Sequence, residues 1–243
     1  MPLLALGTGY DRPSPRGLSL ADMIRHGFAI GYKHIETAEV YPKFATIGPV
    51  LLEFPRESFF LTTKIDPTIG VRRRQCADSG EGCFQVVVDA TKDLIQRKLR
   101  QTHVDLLMLH RPPARSSGGF AAQCTKLREQ WRALEHIKRE LKLAKAIGTS
   151  NMCVELMRCL LQTAREPPSV MSQMHRVGMG TDPCTSTRLP ESLQPPPFAA
   201  APLKIQRSSP ACGQTASSAG RANSASRTWR IPSWAELTAP SVR

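Results

Sequence analysis

Short strand-forming runs alternate with helix-length amphipathic stretches from the start of the chain to about Gln173, and few folds accept that alternation. Leu3 to Leu6 lead into a Gly7-Thr8-Gly9 turn, and strand-like runs follow at residues 33–38, 59–65, 104–109, 144–148 and 168–173. Between them lie a helix opened by a capping pattern at Ser19 and a weaker one near residues 47–51 that contains Pro49. A loop at residues 71–82 precedes further helices at about 83–100, 121–141 and 151–164. The helix at 83–100 carries Val87, Ala90, Leu94 and Ile95 on one face, as a helix packed on a sheet requires. Strands joined by connections of this length pair in parallel, and a parallel sheet built from such crossovers curls. The expectation is an α/β chain of the (β/α)8 TIM-barrel type, incomplete, with about six β/α units.

In a barrel of this kind the C-terminal ends of the strands meet on one face, where chemistry is done. The strand ends here deliver Glu36 with Tyr41 five residues on, then Lys64, then His110. A phenol, an ammonium, an imidazole and a carboxylate on one rim can transfer a proton. A free phenol has a pKa of about 10, and an ammonium beside it favours phenolate and lowers that value.

The order and spacing of these pieces resemble the aldo-keto reductase family. The family's HIDTAxxY segment stands here as His34-Ile35-Glu36-Thr37-Ala38-Glu39-Val40-Tyr41, with glutamate in place of aspartate. Gly7-Thr8-Gly9 and Ile147-Gly148-Thr149-Ser150-Asn151 complete the resemblance, which runs from about Pro2 to about Pro183. It implies reduction of aldehydes or ketones by hydride from NADPH, making the chain an NADP-dependent oxidoreductase that acts on a small carbonyl substrate. Tyr41 is then the proton donor, Lys64 its pKa modulator, Glu36 the partner of Lys64, and His110 the residue that orients the carbonyl. Glu36 is one methylene longer than the family residue, so it either reaches Lys64 through a shifted rotamer or displaces it. Gly7 and Thr8 would meet the cofactor through backbone, and Ser150, Asn151 and Gln173 would bind the nicotinamide carboxamide. Asn151 has a second reading as the N-cap of the helix that follows. Arg111 after His110 and Pro42 after Tyr41 depart from common family patterns.

Lys and Arg exceed Asp and Glu by 33 to 20, a formal charge of +13, but the excess is spread out with Arg72-Arg73-Arg74 its one tight cluster. Nucleic-acid binding is therefore not the expected main function. Seven cysteines in an odd set, without a basic leader or an apolar run of about 18 residues, point to reduced thiols, a cytoplasmic protein and no membrane span. Periodicity ends near Pro183. The organisation expected is a partial barrel over residues 1–183 and a low-complexity, disordered tail over 184–243. That tail carries seven basic residues against two acidic ones, and no counterpart of the family's last two strands, which hold cofactor phosphates. A shifted reading frame or mispredicted exon would account for it, with weak NADPH binding and slow or absent turnover. The alternative readings are a non-catalytic binding protein on a partial barrel and a basic-tail interaction protein.

Overall fold

Each strand-forming run pairs with the next one in sequence. In the computed structural model, which describes residues 1–9 and 17–173, the strands are β1 (Leu6–Gly7), β2 (His34–Glu36), β3 (Phe60–Ile65), β4 (Val104–Leu109), β5 (Ala144–Ser150) and β6 (Val170–Ser172). They form one six-stranded sheet in the order 1 to 6 with every neighbour parallel. This is the expected incomplete (β/α)8 barrel. The expected tail at 184–243 lies outside the described residues, as does the end of the domain assigned to 1–183.

The helices cover one face of the sheet. They are α1 (Leu20–Ala29), α2 (Ile47–Leu51), α3 (Arg72–Gln75), α4 (Cys83–Lys92), α5 (Gly119–Arg139) and α6 (Val154–Leu161), and α4 continues as a π-helical segment, Asp93–Lys98. Ser19 caps α1 as its sequence requires, its hydroxyl oxygen accepting from the Asp22 amide at 3.1 Å. Ile35, Leu61, Ile65, Leu107, Leu109 and Ile147 point from the strands into the core with Val87, Leu94, Ile95, Leu127 and Trp131. The Trp131 indole donates to the Glu166 carbonyl at 3.0 Å, which satisfies the one polar atom of the largest core side chain. The register sets Lys64 beside Met108, Met108 beside Gly148 and Glu36 beside Thr62, and strand alternation turns these residues to the opposite face. Gly48 lets α2 lie against the end of the π-helical segment, because a methyl there would collide with the Lys98 carbonyl.

Two expectations fail. The thiols are not all reduced: Cys76, just after α3, pairs with Cys83 at the start of α4, and Cys124 of α5 pairs with Cys159 of α6. The Cα atoms stand 4.3 Å and 6.0 Å apart, and the second pair comes together only because α5 and α6 pack side by side. Asn151 is not a helix cap: Cys153 occupies that position for α6, and Asn151 lies in the left-handed region at φ 56°. No helix among the described residues is long and apolar enough to cross a membrane.

Candidate active site

The site is assembled where the strands end. Glu36 closes β2, and the chain then turns, with the Thr37 amide donating to Thr62 and the Glu39 amide donating to the Lys64 carbonyl at 3.2 Å. These bonds tie the turn to β3 and bring Tyr41 over the end of that strand. Gly9 helps from the other side, because a methyl there would stand 3.0 Å from Tyr41 Cζ. Lys64 lies one residue before the end of β3 and is only 4% exposed. His110 follows β4, its amide donating to the Ile65 carbonyl at 2.9 Å.

Lys64 Nζ donates to the Tyr41 phenol oxygen at 2.9 Å and forms an ion pair with Glu36. The phenol in turn donates to Glu36 Oε1 at 3.3 Å. Glu36 thus reaches Lys64 despite its extra methylene. The Tyr41 and His110 rings meet edge to face with centroids 5.8 Å apart. All four expected residues therefore share one place.

Their electrostatics differ from expectation in one respect. Burial raises the Tyr41 phenol above its usual 10.0, with Arg111 acting the other way, whereas the sequence led us to expect a lowered value. The physical reason is desolvation: burial penalises the phenolate by more than the Arg111 charge favours it. Burial pulls Lys64 down from 10.5 to about 8. His110 is lowered to about 4 by burial and then by Lys64, so its ring is neutral near pH 7. Its Nδ1 is buried without a hydrogen-bond partner.

The remaining expected residues stand on the same rim. Asn151 Nδ2 donates to the His110 carbonyl at 2.9 Å and to Ser150 Oγ at 3.0 Å, and Gln173 Nε2 donates to the Met152 carbonyl at 2.5 Å. With both Asn151 Nδ2 hydrogens and one on Gln173 Nε2 engaged, the side-chain carbonyls of the two residues can accept, which suits the NH2 of a carboxamide. Gly7 pairs with Glu36 across the sheet, and the hydroxyl of Thr8, next in the chain, is buried without a hydrogen-bond partner. Sequence reasoning missed Glu39, whose buried carboxylate is gripped by Arg72 at 2.5 and 2.8 Å and by Lys98 at 2.9 Å. It missed Asp66 as well, a buried carboxylate just past the end of β3.

Six parallel strands in sequence order, helices on one side and ionisable groups gathered at the strand ends define a (β/α)-barrel protein of the class that works at that rim. Comparison gives the family. The sequence model for the Aldo/keto reductase family matches residues 4–177, and the chain belongs to that family. Deoxymugineic acid synthase 1-D of Triticum aestivum is 31% identical over 184 residues, which cover 70% of this chain and 54% of that protein. Protein REDOX 2 of Catharanthus roseus is 27% identical over 191 residues, covering 70% and 53%. The structure is similar to that of an aldo-keto reductase (AKR2E5) of the silkworm Bombyx mori, with TM-score 0.56 and 27% identity over 76% of this chain and 57% of that one. The NADPH complex of aldo-keto reductase AKR2E5 gives TM-score 0.55 and 28% identity over 72% and 52%. The chain spans about half the length of the curated relatives it matches.

Proposed function

We propose that the strand-end site is a carbonyl-reductase centre, reducing an aldehyde or ketone to an alcohol with Tyr41 as proton donor. The observation that carries this reading is the 2.9 Å bond from the Lys64 ammonium to the Tyr41 phenol, with His110 set edge-on against the same ring. NADPH, the ligand named with the silkworm reductase, would supply hydride when bound, and the acceptors on Asn151 and Gln173 fit its carboxamide. Ser150, Gly7 and Thr8 complete the contacts proposed for it.

The protein's own residues manage the proton. Hydride addition leaves negative charge on the carbonyl oxygen, and a donor must meet that charge as it grows. Tyr41 holds its proton firmly in the resting site because it is buried and bonded to Glu36. Lys64 stabilises the phenolate once the proton has left, so donation becomes easier as the reaction proceeds. Glu36 keeps Lys64 in its ammonium form against the pull of burial. Neutral His110 donates a hydrogen bond to the carbonyl oxygen and fixes its direction without adding a second buried charge.

NADPH consumption with 4-nitrobenzaldehyde tests the reading. Tyr41→Phe should reduce the rate by roughly 10²–10⁴-fold, the usual range for loss of a general acid, while NADPH affinity stays within about twofold. An equal rate in the variant overturns the role of Tyr41. NADPH binding without any turnover would instead make the chain a non-catalytic binding protein on a partial barrel.

A further inference from the structure

The rim also holds Arg111, a cation that the proton-transfer scheme does not use. Arg111 directly follows His110 and has a side chain 58% exposed, beside a carboxylate, Asp66, that is 0% exposed. Asp66 is fixed from below: its Oδ1 accepts from the Thr68 amide at 2.9 Å and from the Thr68 hydroxyl at 2.5 Å. Its Oδ2 has no hydrogen-bond partner, and Arg111 Nε stands 3.7 Å from it. That separation makes an ion pair and not a hydrogen bond. The five N–H donors of the Arg111 guanidinium therefore have no acceptor among the described residues. The contact is made at Nε, and the Nη1–Nη2 edge can receive a two-pronged carboxylate. The positive charge of Arg111 lowers both the Tyr41 phenol and the His110 imidazole, so it acts on both residues of the proposed reaction centre.

We infer that Arg111 determines specificity: the site takes carbonyl compounds that carry a carboxylate away from the reacting carbonyl, and Arg111 receives that carboxylate while buried Asp66 holds the arginine in place. This inference rests on the carbonyl-reductase reading and gives it a substrate class. In the free protein Asp66 offsets the charge of Arg111, which is next to His110 in the chain. An incoming carboxylate gains the hydrogen bonds that the 3.7 Å pair does not make. A neutral aldehyde of the same size gains nothing there.

The test compares 4-carboxybenzaldehyde with 4-nitrobenzaldehyde under NADPH, reading the ratio of their kcat/KM values. Arg111→Gln should lower that ratio about 10- to 100-fold through KM, as expected for loss of a charge-assisted contact. Arg111→Lys should retain part of the preference, and Arg111→Glu should fall below Arg111→Gln. A ratio unchanged in Arg111→Gln overturns the inference. A second arm needs no turnover: calorimetric binding of 4-carboxybenzaldehyde to the full chain should weaken at least tenfold in Arg111→Gln and weaken with added salt. Arg111-dependent binding with no turnover sinks the reductase reading and leaves the anion site. Turnover with binding indifferent to Arg111 does the reverse.

Discussion

The two rims of the sheet both bury charge, and they treat it in opposite ways. At the N-terminal rim Asp105, near the start of β4, accepts from the Leu61 amide at 2.9 Å, from Arg56 at 2.5 Å and from Lys145 at 3.0 Å. Burial alone would raise that carboxyl, but these three donors hold it below its usual value. At the C-terminal rim burial wins: Lys64 and His110 are both lowered and Tyr41 is raised. Thr8 Oγ1, Asp66 Oδ2 and His110 Nδ1 are buried there without hydrogen-bond partners among the described residues. Asp105 is thus spent on cohesion, whereas Tyr41, Lys64 and His110 at the other rim are held in reserve. A fold tolerates such a reserve only where something else, here the proposed proton transfer, uses the groups left over.

The contrast is broken most severely at Asp105. Asp105→Ala leaves Arg56 without its buried partner and orphans the Leu61 amide, and it should cost about 3–5 kcal/mol. The urea midpoint reads this. A loss under 1 kcal/mol would mean that water replaces the carboxylate and that the N-terminal rim is not the cohesive one.

His110 gives the next effect, with the opposite rim in control. Its folded pKa of about 4 lies below its unfolded 6.5, so the folded state refuses a proton that the unfolded chain accepts. Stability is therefore fully present above pH 6.5 and falls as pH drops from 6.5 towards 4, by at most about 3 kcal/mol. His110→Gln should flatten denaturation free energies measured across that window. The lowered Asp105 carboxyl contributes stability that is lost only below its ordinary 3.8, so the two rims separate on the pH axis.

Lys64→Met sharpens the comparison by reversing its sign. Removing a desolvated ammonium should leave stability unchanged or raise it by about 1 kcal/mol, because Glu36, with a side chain 26% exposed, reaches water. The carbonyl-reductase rate should fall at least 100-fold in the same variant. A large loss of stability would show that the Lys64–Glu36 pair holds the fold as Asp105 does.

The smallest effect belongs to Glu36→Asp. The glutamate now spans both Lys64 and the Tyr41 hydroxyl, and the shorter side chain should keep the first contact and lose the 3.3 Å bond. Turnover should change by about threefold, on the order of 0.7 kcal/mol. A change beyond tenfold would make Glu36 part of the proton path.

Much of this was legible because its causes are local. Strand and helix follow from periodicity, and parallel order follows from connections too long for hairpins. Tyr41, Lys64 and His110 each sit just beyond or at the end of a run whose pattern shows where it stops. The cap at Ser19 could be read from four residues. Other features have no local cause. The Cys124–Cys159 pair joins residues separated by 35 positions. Glu39 looks like a surface residue of a turn, yet Arg72 from α3 and Lys98 from the π-helical segment enclose it.

By itself, then, the sequence determined the alternation of elements, the order of the strands and the chemical identity of the groups at each strand end. Only the tertiary structure decided what those groups are worth. Whether Glu36 reaches Lys64, which way the Tyr41 proton leans, whether Asn151 caps a helix or braces His110, and which counter-ion Arg111 faces all depend on neighbours brought from distant parts of the chain. The reason is physical. Backbone propensity is set by residues a few positions apart, whereas desolvation and Coulomb energy depend on distances that exist only after six strands have closed side by side.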